Sequence, residues 1–166
     1  MRYPPYFYDH EQETHPERLW AISNSPDPAA WIVLDVGCGT HKTLPAMIGV
    51  DVRPVSDRVG SMEKLPFADS TVRAVVSRHS FEHALDSILV LQEWKRALVP
   101  EGCATIVLPD AEAIPVMDPF YSSNEHMHAF SQSSFRNLIE ATGMFRVIKL
   151  EVVVEDWSFG AVLVPR

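Results

Sequence analysis

A short apolar run that ends in Gly-Cys-Gly constrains the fold of this chain more than any other feature. Residues 33–36 read Val-Leu-Asp-Val, and the glycine pair occupies positions 37–39. The pattern predicts a buried strand that turns sharply, because glycine lets the backbone approach another group closely. A second apolar run, residues 48–50, ends at Asp51. Ligands of open parallel sheets bind beyond the carboxyl ends of the strands, so the turn and Asp51 are expected to share one crevice.

Asp51 is the residue that suggests a ligand class for this crevice. An ionised carboxylate offers only acceptor lone pairs, which suit the two hydroxyls of a ribose. The pattern therefore indicates a nucleoside-binding edge. A dinucleotide-binding fold would need a third glycine at position 42, where this chain has Lys42. A tight turn with no ligand is the remaining alternative for Gly-Cys-Gly.

Four segments in a characteristic order resemble the class I S-adenosylmethionine-dependent methyltransferases, in particular the short type-11-like domains. They are the strand and turn followed by Asp51, Gly-Ser-Met-Glu-Lys-Leu-Pro-Phe at 60–67, the apolar run at 72–77 with Phe-Glu-His at 81–83, and Trp-Lys-Arg-Ala-Leu-Val-Pro-Glu-Gly at 94–102. The resemblance covers roughly residues 31–109. It implies S-adenosylmethionine as the cofactor and S-adenosylhomocysteine as the product.

The resemblance assigns the methionine and ribose portions of the cofactor to the first two strand ends. Asp35 is expected to orient the glycine turn and to approach the methionine ammonium group. Gly37, Cys38 and Gly39 are expected to contribute backbone to the amino acid and ribose portions. Asp51 is expected to accept hydrogen bonds from both ribose hydroxyls.

The resemblance assigns the adenine and the acceptor side to later segments. Val52 is expected to touch the adenine face, with Ser61 and Met62 beside the ring. The family commonly has an acidic residue where this chain has Ser61, so the adenine pocket is expected to differ. Arg78 and His79 are expected to line the methionine end and the acceptor side of the cofactor.

His79 and His83 are the candidates for a catalytic role. Histidine has an unperturbed pKa near ~6.5 and often accepts a proton from an acceptor group. A sulfonium methyl is already activated, so a base is needed only when the acceptor must lose a proton. Helix capping and packing by Glu82 and His83 is the other interpretation of that pair. Further possible acceptor contacts lie in the long loop 110–130, namely Asp110, Tyr121, His126 and His128.

Alternating strand-like and helix-like segments predict an α/β fold. We expect a Rossmann-like, mostly parallel sheet that closes with an antiparallel C-terminal hairpin. A helix is predicted over residues 87–98, ended by Pro100 and Gly102, and a second over 134–142, capped by Ser131 or Ser133. The predicted strands cover residues 31–36, 47–52, 72–77, 104–108, 145–153 and 160–164.

The first two crossover connections are unusually short. Eleven residues, including Pro45, separate Gly39 from Asp51, and Pro54 interrupts the stretch from Asp51 to Gly60. A helix normally crosses between parallel strands, so the first two crossover helices are predicted to be shortened or missing. One face of the sheet then needs another cover.

Two covers for that face are expected from the sequence. Residues 1–30 form an N-terminal segment that precedes a methyltransferase-like domain at 31–166. The segment is expected to pack on the sheet or to act as a lid over the cofactor. A homodimer that buries the same patch is the second expectation. The aromatic and apolar residues of the segment are Tyr3, Tyr6, Phe7, Tyr8, Leu19 and Trp20.

Composition excludes several partner classes. The chain has 166 residues, 46% of them hydrophobic, and a formal charge of −8 at pH 7, which disfavours binding to long nucleic acid. No apolar run reaches the ~18 residues of a membrane span, and no signal peptide is recognised, so no membrane partner and a cytoplasmic location are expected. No metal site is expected, because the pair His126 and His128 lacks further ligands at the usual spacing.

Two functions from different classes follow. The first is a methyltransferase that acts on a small or medium-sized acceptor, which would be its small-molecule partner. The second is a non-catalytic, methyltransferase-like binding or scaffold protein. Asp35, Gly37, Gly39 and Asp51 favour the first, whereas Ser61 and the short crossovers favour the second.

Overall fold

Strands and helices alternate along the chain in the computed structural model, which describes residues 14–117 and 126–166. In these residues the helices are α1 (Pro16–Ser23), α2 (Ser87–Ala97) and α3 (Gln132–Thr142), and a 3-10 turn spans Phe81–His83. The strands are β1 (Val33–Val36), β2 (Ile48–Asp51), β3 (Arg58–Val59), β4 (Val72–Arg78), β5 (Leu98–Pro109), β6 (Phe145–Val154) and β7 (Ser158–Pro165).

One seven-stranded sheet organises the fold, in the order β3-β2-β1-β4-β5-β7-β6. Strands β1 to β5 pair in parallel, whereas β7 is antiparallel to both β5 and β6. The strand order reverses between β1 and β4, and such a switch point opens a crevice at the carboxyl ends of the strands. The predicted Rossmann-like fold with an antiparallel C-terminal hairpin is confirmed.

The two crossover helices that the sequence predicts to be shortened or missing are missing. Residues 37–47 and 52–57, all of them described, contain no helix. The chain instead reaches β2 and β3 through turns, since both segments are too short for a helix and carry proline. Lys42 braces this region, because its Nζ contacts the Asp57 carboxylate at 2.7 Å and donates to the Met47 carbonyl at 2.9 Å.

The two faces of the sheet are covered unequally. Alternate residues such as Leu34, Val75 and Ile106 point to the face that α2 and α3 cover, where most of the hydrophobic core lies. Val33 and Val76 point to the opposite face, where a smaller cluster forms with Ala21 of α1 and with Met47. Helix α1 thus occupies part of the face that the absent crossover helices leave open.

Trp20 anchors α1 on the antiparallel end of the sheet. Its indole nitrogen donates to the Glu151 carboxylate at 2.6 Å, and its ring lies over Gly160. A Cβ at Gly160 would lie 2.5 Å from the ring, so the close approach of helix and strand requires glycine there. Thr105 also donates to the carbonyl of Asn24, at the end of the helix.

Local signals explain the ends of the other two helices. Asp86 accepts hydrogen bonds from two backbone amides of the first turn of α2. Ser131 caps α3 in a capping box with Ser134, as the sequence predicts, and Gly143 ends that helix in a left-handed conformation. The end of α2 differs from the prediction, because the helix stops at Ala97 and β5 continues through Pro100 and Gly102.

Several expectations concern residues outside the described ranges. Tyr3, Tyr6, Phe7 and Tyr8 are among them, and so is Tyr121. None of the helices in the described residues is long and apolar enough to span a bilayer.

Candidate functional site

A cleft of about 570 Å³ opens at the carboxyl ends of β1, β2 and β4. Its size lies within the range of roughly 300–1,000 Å³ that is typical of small-molecule sites. The position coincides with the switch point of the sheet, where the topology favours a ligand. The cleft is lined by Val36, Gly37, Asp51, Val52, Arg53, Gly60, Met62, His79, Ser80, His83, Leu85 and Met127.

Gly37 is required at the turn by a protein contact. Its φ is +74°, and a Cβ there would lie 2.3 Å from the Cβ of Ser80. Ser80 is itself held in place, because its hydroxyl donates to the carbonyl of Val36 at 2.8 Å and lies 2.6 Å from the Ser77 hydroxyl. The glycine therefore lets the segment after β4 pack against the end of β1.

Gly39 and Asp51 form the opposite wall of the site. The backbone N–H of Gly39 donates to Asp51 Oδ2 at 2.9 Å, and φ at Gly39 is +57°. Arg53 donates to the same carboxylate through its backbone N–H and through Nε, both at 3.0 Å. Burial alone would raise the pKa of Asp51, but the hydrogen bonds from Arg53 and Gly39 lower it below its usual value. Asp51 therefore presents an anion to the cleft.

Asp35 braces the loop from behind the cleft. The side chain is buried, and its Oδ2 accepts a hydrogen bond from the backbone N–H of Thr43. The Thr43 hydroxyl in turn accepts from Nε of Arg78 at 2.8 Å. Burial raises the pKa of Asp35, against the lowering effect of Thr43 and Arg78. Asp35, Thr43 and Arg78 thus form a partly buried network that fixes the loop between β1 and β2.

Cys38 turns away from the cleft and packs against β2. A Cβ at Gly49 would lie 2.8 Å from its Sγ. Burial, followed by the nearby Asp35 carboxylate, raises the pKa of Cys38 to about 11. The thiol is therefore protonated at neutral pH.

We expect slow alkylation of Cys38 by iodoacetamide in the folded protein. At pH 8 a thiol with a pKa of about 11 has roughly a hundredth of the thiolate of a thiol with the ordinary pKa of 9.0. The rate, followed by peptide mass spectrometry, should rise with pH up to about 11 and should increase greatly in urea. Equal rates in the folded and unfolded chains would contradict this environment.

His79 stands at the end of β4 in a strained backbone conformation. Its φ is +46°, in the left-handed region that residues with a Cβ seldom occupy. Nε2 donates to the Glu17 carboxylate of α1 at 2.8 Å. Burial alone would lower the pKa of His79, but the charge and hydrogen bond of Glu17 raise it. Helix α1 thus supplies a buried carboxylate that orients an imidazole of the cleft wall.

The sequence-predicted residues divide into two groups. Six of them line the cleft: Gly37, Asp51, Val52, Met62, His79 and His83. The structure places five others around it: Asp35, Cys38, Gly39, Ser61 and Arg78.

Ser61 and Asp110, the latter one of the possible acceptor contacts, have local structural roles. Ser61 forms a turn, because its backbone pairs with Lys64 and its hydroxyl accepts from the N–H of Glu63 at 3.2 Å. Asp110 lies beside Trp157, away from the cleft, and accepts from the N–H of Glu112.

Several residues at the site were not singled out as site residues from the sequence. Ser80 carries no sequence signal, since its position depends on the turn after β4. Met127 comes from the loop 110–130, in which the sequence places possible acceptor contacts. Glu17 was missed because nothing in the sequence links α1 to the end of β4. Gly60 had a signal, as it is the first residue of the motif segment 60–67. In the structure a Cβ there would lie 2.8 Å from Pro66.

Comparisons with known proteins identify the family to which this fold and cleft belong. A family model for the methyltransferase domain matches residues 8–150, and the chain belongs to this family. The resemblance drawn from the sequence motifs is therefore confirmed. A sequence search of curated proteins finds no match.

Solved structures with a similar fold support the same class. One is a chain from the complex between the Haloferax volcanii Trm112 methyltransferase activator and a methyltransferase; it is 20% identical, with a TM-score of 0.77, over 90% of this chain and 88% of that one. A SAM-dependent methyltransferase from Aquifex aeolicus is 19% identical, with a TM-score of 0.72, over 91% and 89%. The geranyl diphosphate C-methyltransferase of Streptomyces coelicolor, bound to Mg²⁺, geranyl diphosphate and S-adenosyl-L-homocysteine, is 10% identical, with a TM-score of 0.72, over 96% and 86%. At these identities the likeness shows the shared fold.

Proposed function

We propose that the protein is an S-adenosylmethionine-dependent methyltransferase that acts on a small or medium-sized acceptor. The observation that carries the proposal is the cleft at the switch point, with the Asp51 carboxylate on one side and the Gly37 turn on the other. The family and the fold of its structural neighbours support the same cofactor. The methyl acceptor is expected to enter beside His79 and His83.

The Asp51 carboxylate fits the ribose of the cofactor. Arg53, which now contacts it, has a side chain that is 62% exposed and can leave at little cost, whereas the Asp51 side chain is 6% exposed. A ribose diol would then donate to the carboxylate in place of the guanidinium. The Gly39 N–H keeps its own bond to Oδ2, so the carboxylate stays oriented.

The adenine ring fits the side of the cleft beyond β2. Val52 is 68% exposed there, which is unusual for an apolar residue at the end of a buried strand. Met62 and Gly60 line the same side, and they offer a flat apolar surface with no carboxylate. We infer that Val52 and Met62 cover the two sides of the ring.

His79 is the residue that we assign to the acceptor. When bound, S-adenosylmethionine supplies a methyl group on an activated sulfonium. Glu17 holds a proton on Nε2 of His79, because an ionised carboxylate only accepts hydrogen bonds. Nδ1 is then the atom that can take a proton from an acceptor hydroxyl, amine or acidic carbon. Glu17 would stabilise the imidazolium that results.

Cofactor binding tests the proposal directly. We expect S-adenosylmethionine and S-adenosylhomocysteine to bind with micromolar affinity in calorimetric titrations. In Asp51→Asn the dissociation constant should rise by roughly 10- to 100-fold, because hydrogen bonds to a charged group contribute about 1.5–3 kcal/mol. If Asp51→Asn bound the cofactor with the same dissociation constant as the native chain, Asp51 would not be the residue that binds the ribose.

Asp69→Asn is a matched control for that titration. Asp69 is an acid of the same size on a surface loop, with its side chain 77% exposed in an ion pair with Arg96. The Asp69→Asn substitution should leave the affinity for the cofactor unchanged. If neither ligand binds the native protein, the methyltransferase-like scaffold becomes the better description. If both bind, screening acceptors with methyl-labelled cofactor is the next step, and His79→Gln should lower turnover more than cofactor affinity.

A further inference from the structure

Three imidazoles surround one buried carboxylate at the rim of the cleft. Glu82 Oε1 lies 3.7 Å from Nδ1 of His79, 4.0 Å from Nε2 of His83 and 3.9 Å from Nε2 of His126. The ligand atoms of Glu82, His83 and His126 all lie within 4.8 Å of one another. Glu82 and His83 belong to the 3-10 turn after β4, whereas His126 arrives from the loop before α3.

The carboxylate of Glu82 lacks a hydrogen-bond donor among residues 14–117 and 126–166. The residue is 1% exposed, and within this part of the chain neither of its side-chain oxygens has a hydrogen-bond partner. A buried carboxylate in that state is strongly unfavourable unless a cation compensates it. The surrounding imidazole nitrogens stand just beyond hydrogen-bond distance, so the space between them fits an ion better than a direct bond.

His126 is oriented as a metal ligand would be. Its Nδ1 lies 2.9 Å from the carbonyl oxygen of Val116, which can only accept, so Nδ1 carries the proton. In the neutral ring the lone pair of Nε2 then points towards Glu82. A hydrogen bond from the other ring nitrogen to a backbone carbonyl is the usual support of a metal-bound histidine.

The backbone fixes the two ligand segments to each other. The N–H groups of Met127 and His128 both donate to the carbonyl oxygen of Glu82, at 2.9 and 3.1 Å. The rings of His83 and His126 are in edge contact, with centroids 4.6 Å apart. The group is therefore held together without any ion.

We propose that Glu82, His83 and His126 bind a divalent transition-metal ion. Two imidazoles and one carboxylate suit zinc and its neighbours rather than magnesium, which prefers oxygen ligands. Two atoms bound to one zinc at ~2.1 Å are roughly 3.4 Å apart in a tetrahedron. The ligand atoms here lie within 4.8 Å of one another, so side-chain shifts of up to about an ångström close the site. The sequence predicted no metal because Glu82 and His83 are far along the chain from His126.

The ion would have an open position at the cleft. Three protein ligands are typical of zinc sites that bind a further molecule, whereas structural sites usually have four. His83 lines the cleft, so this position would take water or an anionic oxygen of a molecule held there. The site depends only on residues of this chain and stands whether or not methyl transfer occurs.

Zinc binding to the purified, metal-stripped protein tests the proposal. We expect one Zn²⁺ per chain in calorimetry, a rise in melting temperature with Zn²⁺, and the visible absorption of tetrahedral cobalt when Co²⁺ is used instead. Glu82→Gln and His126→Gln should each weaken binding at least tenfold and abolish the cobalt spectrum. Without metal, Glu82→Gln should melt no lower than the native chain, because a neutral amide replaces an uncompensated buried carboxylate.

His128→Gln is the matched control. His128 lies two residues from His126 on the same loop but outside the ligand group, so this variant should bind zinc as the native chain does. Absence of one-to-one binding, or equal binding by Glu82→Gln, would overturn the proposal and would indicate a protonated imidazole as the partner of Glu82. Since these titrations contain no cofactor, failure here leaves the Asp51→Asn result on cofactor binding unaffected.

Discussion

Replacing Gly37 by alanine is expected to destabilise the protein by about 2–5 kcal/mol and to abolish cofactor binding. The left-handed φ of +74° alone costs about 1–2 kcal/mol for a residue with a Cβ. The new methyl group would also lie 2.3 Å from the Cβ of Ser80, and such overpacking costs about 1–3 kcal/mol more. Urea unfolding and a cofactor titration measure the two effects.

Gly143→Ala is the control for the backbone cost. Gly143 has a φ of +65° at the end of α3, and a Cβ there would meet no atom of the described residues within 4 Å. The Gly143→Ala variant should therefore lose only about 1–2 kcal/mol of unfolding free energy and should keep its affinity for the cofactor.

A second substitution separates the clash from the backbone strain. Adding Ser80→Gly to Gly37→Ala removes the Cβ that the new methyl group would strike, so part of the stability should return. Full recovery of the unfolding free energy is not expected, because the hydrogen bond from the Ser80 hydroxyl to the Val36 carbonyl is lost as well. No recovery at all would show that the contact with Ser80 is not what requires glycine.

Replacing Glu17 by alanine is expected to destabilise the protein by about 3–5 kcal/mol, the usual result of removing one partner of a buried ion pair. Glu17 is fully buried at the start of α1, and its partner His79 is 19% exposed. Alanine would leave His79 without its carboxylate and would loosen α1 on the sheet. Chemical unfolding at pH 7 gives the free energy.

The contribution of Glu17 depends on pH in a definite direction. Burial alone would raise its pKa, but His79, with Ser158 and His15, lowers it from 4.5 to about 2. A carboxyl whose pKa is lower in the folded state stabilises the fold above its unfolded value and loses that effect as pH falls towards 2. The stability difference between the native chain and Glu17→Ala should therefore shrink between about pH 5 and pH 2.

Glu140→Ala is the comparison for Glu17→Ala. Glu140 also lies on a helix and faces a cation, Arg136 at 3.9 Å, but its side chain is 58% exposed. It should change the unfolding free energy by less than about 0.5 kcal/mol. A similar small change in Glu17→Ala would mean that the Glu17–His79 pair contributes little to folding.

The sequence was most informative where local patterns decide structure. The buried runs before Gly37 and Asp51 predicted β1 and β2, and their proline-containing connections predicted the missing crossover helices. Helix α3 was recognised from Ser131 and Gly143, because capping is a local effect. The end of α2 was predicted less well, since proline and glycine were taken as breaks, whereas tertiary pairing of β5 with β4 continues through them.

The sequence was least informative about side chains that meet across the sheet. The spacing in the chain does not reveal that Glu17 reaches His79, which is 62 residues away, or that His126 approaches Glu82. The direction of Cys38 and Asp35 was also undetermined, because a residue beside a glycine turn can face either side of it. These positions follow from the packing of α1 and of the loop before α3.

Gly37 and Gly39 are expected to be conserved to different degrees among relatives of this protein. Selection for folding alone would retain Gly37, because the space that it leaves belongs to Ser80. At Gly39 a Cβ would meet, among the described residues, the end of the flexible Arg53 side chain. The left-handed φ of +57° still disfavours most side chains, but asparagine and aspartate tolerate it, so such replacements would become acceptable once a lineage stopped using the cleft. Among relatives, loss of glycine at 39 together with the acid at 51 would therefore mark proteins that kept the architecture and abandoned the ligand.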